Sequence, residues 1–401
     1  MPNDAAGGDR IDDHKRLKRA SGRSDIASFM VMDVMTAAAK AEAEGRHIIH
    51  MEVGQPATPA PAAAREAAKR AIDGETLGYT VALGMPALRQ RVAQHYSDWY
   101  GIDIAAERVV ITSGSSAAFV LAFLSVFDSD DAVALPSPGY PCYRHILTAL
   151  GQRQVVLETG PETRWMPTIE QIDEVADEIA GVLIASPANP TGTMLEPERL
   201  AAIARLCRDR DLWFISDEIY HGLTFDRPAQ TALSYSDDII VINSFSKYFS
   251  MTGWRVGWMI VPDHLVATAE RLAQNLYICP PAVAQTAALG AFDATAELEH
   301  NREVYAANRT LLLQELPKVG FDKLVPADGA FYVYVDVGDY TDDSLALSAQ
   351  MLEEAGVAAT SGVDFDEARG NRFLRFSYAG STEDMREAMR RLSRWGALKK
   401  A

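Results

Sequence analysis

Cysteine is scarce in this chain, with three thiols among 401 residues: Cys142, Cys207 and Cys279. An odd number at wide spacing supplies neither a disulfide framework nor a metal-ligand pattern. A reducing cytoplasm suits that usage, and no metal site is expected. Long apolar runs are also missing. The longest, residues 117–127, is 11 residues, well short of the roughly 20 that cross a bilayer, so no membrane partner is expected. The opening Met-Pro-Asn-Asp-Ala-Ala-Gly-Gly-Asp-Arg has no basic stretch followed by an apolar one and does not read as a secretory signal. Basic residues are in deficit, 38 Lys and Arg against 55 Asp and Glu, for a net charge of −17. Nucleic-acid binding needs clustered cations to neutralise phosphates, which disfavours that class; the acidity serves solubility. There is no internal repeat, and the only biased tract is the alanine-rich stretch from Pro59 to Ala71.

What is present has the make-up of a globular protein, and the length points to two domains rather than one core. Seven short runs rich in β-branched residues fall at 108–111, 132–135, 154–157, 181–184, 212–215, 239–242 and 256–260. Most are apolar throughout, as strands buried on both faces are. Helical patterns at 115–127, 140–150, 168–179 and 196–210 lie between them. This alternation predicts a three-layer α/β domain around a mainly parallel, seven-stranded sheet. Beyond 283 the pattern changes to a long helix over 283–316, strands near 329–336 and 373–377, and helices near 343–355 and 382–396, a smaller α+β domain. The expected layout is a mobile polar tail at 1–27, a segment at 28–58 joining the small domain, a large domain at 59–282 and the small domain at 283–401.

Ligands of parallel sheets collect beyond the carboxyl ends of the strands, and the polar motifs fall there. Lys247 follows the strand at 239–242 in Ser244-Phe-Ser-Lys247, eight positions before Arg255. A lysine in this place suits a Schiff base with a carbonyl, and Arg255 suits a phosphate on the same molecule; pyridoxal phosphate carries both groups. Ile111-Thr-Ser-Gly-Ser115-Ser116 reads as strand, small-residue turn and helix start, a place for an anion or simply a Ser-capped helix. Tyr140 in Pro-Gly-Tyr-Pro is either a stacking surface for a flat cofactor or a packing residue. Ser186-Pro-Ala-Asn189-Pro-Thr-Gly192 is a sharp loop that presents an amide. Asp217 and Tyr220, in Ser-Asp-Glu-Ile-Tyr, offer a carboxylate for a pyridine nitrogen and a phenol for the ring hydroxyl; the alternative is a helix cap and a core tyrosine. Arg375 is a charge inside an apolar strand, and a buried arginine needs an anionic partner such as a substrate carboxylate.

Taken in order along the chain, these motifs resemble the fold-type I pyridoxal-phosphate enzymes, in particular the class I/II aminotransferases, over about residues 28–396. The resemblance implies that Lys247 carries the cofactor and shuttles the proton, that Asp217 pairs with the pyridine nitrogen, and that Tyr220 and Asn189 bind the ring hydroxyl while Tyr140 stacks on the ring. It implies a phosphate cradle of Ser115, Ser116, Ser244 and Arg255, the α-carboxylate on Arg375, and Gly54 in the turn over the substrate. Tyr79 matches a tyrosine that reaches the neighbouring subunit's phosphate, which implies a homodimer with shared sites. The implied activity is ping-pong transfer of an amino group from an L-amino acid to a 2-oxo acid, 2-oxoglutarate being the expected acceptor. A β-eliminating lyase or cyclopropane-forming enzyme on the same scaffold shares the cofactor residues. A cofactor-sensing regulator lacks room for a DNA-binding domain in the first 28 residues. Two departures from the family pattern stand out: acidic residues in the loop 362–370, near Arg375, and Gln274 where the dicarboxylate-specific branch has an arginine.

Overall fold

The computed structural model describes residues 19–396. The expected tail therefore lies mostly outside the described residues, and its last part carries one 3-10 turn at Gly22–Ser24. Helix α1 (Met30–Ala43) and the two-residue strand β1 (Ile49–His50) come next. Then follow α2 (Ala62–Gly74) and α3 (Pro86–Tyr100), neither of which the strand pattern announces.

All seven expected strands form one sheet: β2 (Val109–Thr112), β3 (Ala132–Ser137), β4 (Arg153–Glu158), β5 (Gly181–Ala185), β6 (Trp213–Asp217), β7 (Ile240–Ser244) and β8 (Gly257–Ile260). Their spatial order is β2-β8-β7-β6-β5-β3-β4. Only β8 runs antiparallel to its neighbours, as the expectation of a mainly parallel sheet requires. Side chains alternate between the two faces with period two. Val110, Val133, Leu183, Ile215, Ile240 and Met259 point to one core, while Val109, Val182, Phe214, Val241 and Trp258 point to the other. Both faces are apolar because helices cover both, α4 (Ser115–Val126) and α5 (Cys142–Leu150) on the first and α3 among those on the second. Fully burying one such Val or Ile contributes roughly 1.5–3 kcal/mol.

The expected helix over 168–179 is shorter, α6 (Ile169–Glu174), followed by a 3-10 turn; α7 (Pro197–Asp209) and α8 (Val266–Leu276) complete this part. The expected single helix over 283–316 is two, α9 (Ala282–Ala291) and α10 (Thr295–Glu315). Phe292 leaves the helix to pack its ring 5.1 Å from Phe249 and 5.4 Å from Phe245, a tertiary contact that helical periodicity does not encode. A four-stranded antiparallel sheet follows, built from β9 (Lys323–Leu324), β10 (Tyr332–Asp336), β12 (Thr360–Ser361) and β13 (Phe373–Ser377) in the order β12-β13-β10-β9. Strand β11 (Val357–Ala358) pairs in parallel with β1, tying the N-terminal segment to this sheet's neighbourhood. Helices α11 (Ser344–Ala355) and α12 (Thr382–Trp395) pack on it. Among the described residues no helix is long and apolar enough to cross a membrane.

Candidate active site

The carboxyl ends of β6 and β7 set the floor of a cavity of about 220 Å³. Asp217 ends β6 and is 3% exposed. Burial raises its carboxyl from the usual range to about 6, against the opposing effect of two hydrogen bonds and of Lys247. The bonds come from the Tyr143 hydroxyl and, at 3.0 Å, from the Ile219 N–H. Lys247 lies three residues past β7. Burial is the main cause that lowers its amine to about 8, with Arg375 and Arg255 adding repulsion and Asp217 opposing. Its Nζ donates to the Gly54 carbonyl at 2.5 Å.

One end of the cavity is an anion cradle. Gly114 precedes α4 with φ of +79°, a conformation that costs glycine little. A Cβ there would stand 2.4 Å from the Arg255 Nη2, so glycine is what lets the guanidinium lie against the helix start. Ser115 and Ser116 open α4 and line the cavity beside Arg255 and Thr252. Arg255 is itself left-handed, φ +50°, and its Nη1 donates to the Thr252 carbonyl at 3.0 Å. Ser244 does not line the cavity. Its hydroxyl is buried against Ser246 Oγ at 2.8 Å and the Val256 carbonyl at 3.1 Å, and Ser246 forms the wall instead.

The other end is built around Arg375, which is 1% exposed on β13. Its Nη1 donates to Asn189 Oδ1 at 2.8 Å and its Nη2 to the Glu52 carbonyl. The rings of Tyr332 and Phe365 lie 4.4 and 4.7 Å from the guanidinium carbon. These partners are neutral, and Nε has none. A buried cation held only by neutral groups is a receptor for an anion. The Tyr220 and Tyr332 hydroxyls are hydrogen-bonded at 2.7 Å, and a Cβ on Gly54 would meet the Tyr332 hydroxyl at 1.9 Å.

The cavity thus brings together Gly54, Ser115, Ser116, Tyr140, Asn189, Asp217, Tyr220, Lys247, Arg255 and Arg375, ten of the residues singled out by sequence. Tyr140 meets Tyr143 edge-on, with centroids 5.3 Å apart. Tyr79 is not among the lining residues; it is 84% exposed. Sequence reasoning missed Tyr143, Ser246 and Tyr332; it expected the segment 28–58 to contribute to the substrate pocket but did not single out Phe29, Val31, Met32 and Val53 there. Tyr143, in the first turn of α5, lies three positions beyond Tyr140, which stands just before that helix; within the helix expected over 140–150 that spacing was the available signal. Phe29, Val31 and Met32 come from α1 and its approach and Val53 from just past β1; which side chains of that segment turn inward is set by contacts distant in sequence. Glu218 faces away, to Thr231 and the Ala232 N–H. The acidic residues of the loop 362–370 form no ion pair with Arg375: Asp366 pairs with Arg369 and Asp364 binds the start of α1, close enough for the Arg375 charge to act on it.

Pyridoxal phosphate, the cofactor implied by resemblance, suits this donor set. The cradle at Gly114 and Arg255 offers helix N–H groups and a cation to a phosphate. Asp217 offers a buried carboxylate to a protonated ring nitrogen, whose charge would offset the burial that raises its pKa. Lys247 offers an amine already displaced toward its neutral form. Comparison with known proteins agrees. Residues 46–392 match the family described as aminotransferase class I and II. The valine–pyruvate aminotransferase of Mycobacterium tuberculosis is 48% identical over 381 residues, covering 94% of this chain and 98% of that protein. A crystal structure of an aminotransferase from Mycobacterium tuberculosis superposes with a TM-score of 0.93 at 48% identity, over 94% of this chain and 99% of that one. A putative aminotransferase from Silicibacter pomeroyi does so with 0.89 at 53%, with the same coverage. With its anion cradle and buried lysine at the end of the large sheet and a buried arginine facing them from β13 of the small one, this chain belongs to the class I and II aminotransferases and is a pyridoxal-phosphate-dependent enzyme.

Proposed function

We propose that the enzyme moves the amino group of an aliphatic L-amino acid, valine being the type, to pyruvate in a ping-pong reaction. The observation that carries the donor class is the wall of Phe29, Val31, Met32 and Val53, which stands in the same cavity as Arg375 and Lys247. With the α-carboxylate on Arg375 and the α-amine toward Lys247, a side chain directed at this wall gains free energy only by being apolar. When bound, pyridoxal phosphate supplies the carbonyl that captures the amine and a ring that takes up negative charge. Asp217, held by Tyr143, keeps that ring protonated. Lys247 moves the proton to and from the substrate Cα, and burial places its pKa where both transfers are easy near neutral pH. Arg375, fixed by Asn189 and Glu52, orients donor and acceptor alike, so both occupy the site in turn.

The acceptor follows from charge. The cations among the described lining residues are Lys247, Arg255 and Arg375, and the scheme uses each. Pyruvate needs only Arg375, whereas 2-oxoglutarate, the acceptor expected from the sequence, brings a second carboxylate. The printed name of the 48% identical relative supports the same pair of substrates. Tyr79, together with Val81, Leu276 and Ile278, leaves large apolar side chains about half or more exposed, which supports a homodimer. The three unbridged cysteines support a reducing, cytoplasmic setting.

Half-reactions test the scheme. Loaded enzyme mixed with single amino acids should pass its amino group to the cofactor fastest with valine and its neighbours, and pyruvate should restore the starting absorbance faster than 2-oxoglutarate. Preference for aspartate or glutamate, or release of free ammonia in place of retained amine, would sink the reading; ammonia would favour the lyase alternative.

A further inference from the structure

We propose that Asp364 is a positioning residue for donor specificity: its carboxylate holds the first turn of α1, and so sets the distance between the apolar wall and Arg375. This rests on the aliphatic-donor reading above. Helix α1 starts without a cap of its own, since Phe29 at the N-cap position has no side-chain acceptor. The first N–H groups of a helix need partners from outside it. Asp364 supplies them from 334 positions away, Oδ1 accepting from the Met30 N–H and Oδ2 from the Val31 N–H, each at 3.4 Å. The carboxylate is 2% exposed and meets the positive end of the helix dipole. Phe29, Val31 and Met32, which flank or belong to these two peptide groups, are cavity walls.

Asp364 is registered to the rest of the site. It ends the turn Gly362–Asp364, directly after β12, whose Thr360 pairs with Arg375 on β13. The next residue, Phe365, packs its ring 4.7 Å from the Arg375 guanidinium. The Asp364 carbonyl accepts from Arg144 Nη2 at 2.9 Å, and Arg144 follows Tyr143, the partner of Asp217. One turn therefore fixes the α-carboxylate receptor on one side and the side-chain wall on the other. Discrimination between side chains depends on that spacing, because one or two methylenes are recognised only by a wall that stays in contact with them.

Two substitutions remove the tether from opposite ends. Asp364→Ala deletes the acceptor. Met30→Pro deletes one donor, at a first helical position that accepts proline and after a residue whose φ of −83° and ψ of 102° suit it. On the loaded enzyme, kcat/KM would be measured for valine and alanine, and amide exchange for residues 29–35. The expected result is a loss of about tenfold in the valine-to-alanine ratio, carried by the KM for valine. Exchange at Val31–Asp33 should be faster by tenfold or more, and the double variant should be no worse than the worse single one. Asp364→Asn, which keeps one acceptor oxygen, should recover part of the ratio. Unchanged exchange, equal losses for both amino acids, or independent addition of the two substitutions would each overturn the proposal. If the wild type shows no preference for valine, the donor reading fails, and the exchange rates still judge the tether by themselves.

Discussion

In the proposed scheme Lys247 is the group on which the chemistry turns, and its environment makes a measurable claim. Burial, aided by Arg375 and Arg255, lowers its pKa from 10.5 to about 8. At pH 7 this raises the neutral fraction from about one in 3,000 to about one in ten, roughly 300-fold and equivalent to about 3 kcal/mol. The perturbation is pH itself, applied to cofactor-free protein. Formaldehyde with cyanoborohydride labels neutral amines, and peptide mass spectrometry reads Lys247 against Lys69 on the exposed face of α2 in the same sample. The expected profile for Lys247 has its midpoint near 8 and a rate at pH 7 far above that of Lys69. Stability carries the same signature. The folded amine has the lower pKa, so the unfolded chain binds more protons between about pH 8 and 10.5, and this group makes stability rise with pH across that window. The rise, up to about 3 kcal/mol, should be missing from Lys247→Met. A labelling midpoint at or above 10, or an unchanged pH slope in Lys247→Met, would refute the electrostatic account of the site.

Two further outcomes follow from the same geometry. Tyr143→Phe removes a donor that lowers the Asp217 pKa; a hydrogen bond to a charged group is worth about 1.5–3 kcal/mol, or roughly one to two pH units. Because the carboxylate is charged only above its pKa, the acid limb of kcat/KM in the loaded enzyme should move to higher pH by about a unit, and a limb that stays in place counts against Tyr143. Gly54→Ala places a methyl group on the Tyr332 hydroxyl, so Tyr332 and its partner Tyr220 must shift; kcat/KM should fall by about a hundredfold with a stability loss of only about 1–3 kcal/mol, as read by turnover and thermal melting.

The sheet and much of the site were legible along the chain for a local reason. Strands buried on both faces are apolar almost without interruption, which makes most of the strands other than the edge strand β4 visible, and in a parallel sheet the residues just past the strand ends face the ligand. Asp217 and Lys247 are therefore found from their neighbours alone. That Ser246 lines the cavity and Ser244 does not was hidden, because the side of the chain that faces the cavity depends on the turn after β7. The break at Phe292 was hidden too, since an aromatic cluster contributed by Phe245 and Phe249 draws that ring out of the helical pattern.

By itself the sequence determined the α/β class, the order of the strands' chemistry and the residues suited to an aldehyde-and-phosphate cofactor, because these are set by composition and spacing within a few positions. Only the tertiary structure decided what surrounds them. Tyr143 on Asp217, Tyr332 against Gly54 and the neutral partners of Arg375 are contacts between segments far apart in the chain, as is the Asp364 tether that sets the apolar wall. Their effects act through space: burial moves the pKa of Lys247, the proposed choice of side chain depends on the distance from wall to guanidinium, and neither quantity exists until the chain has folded.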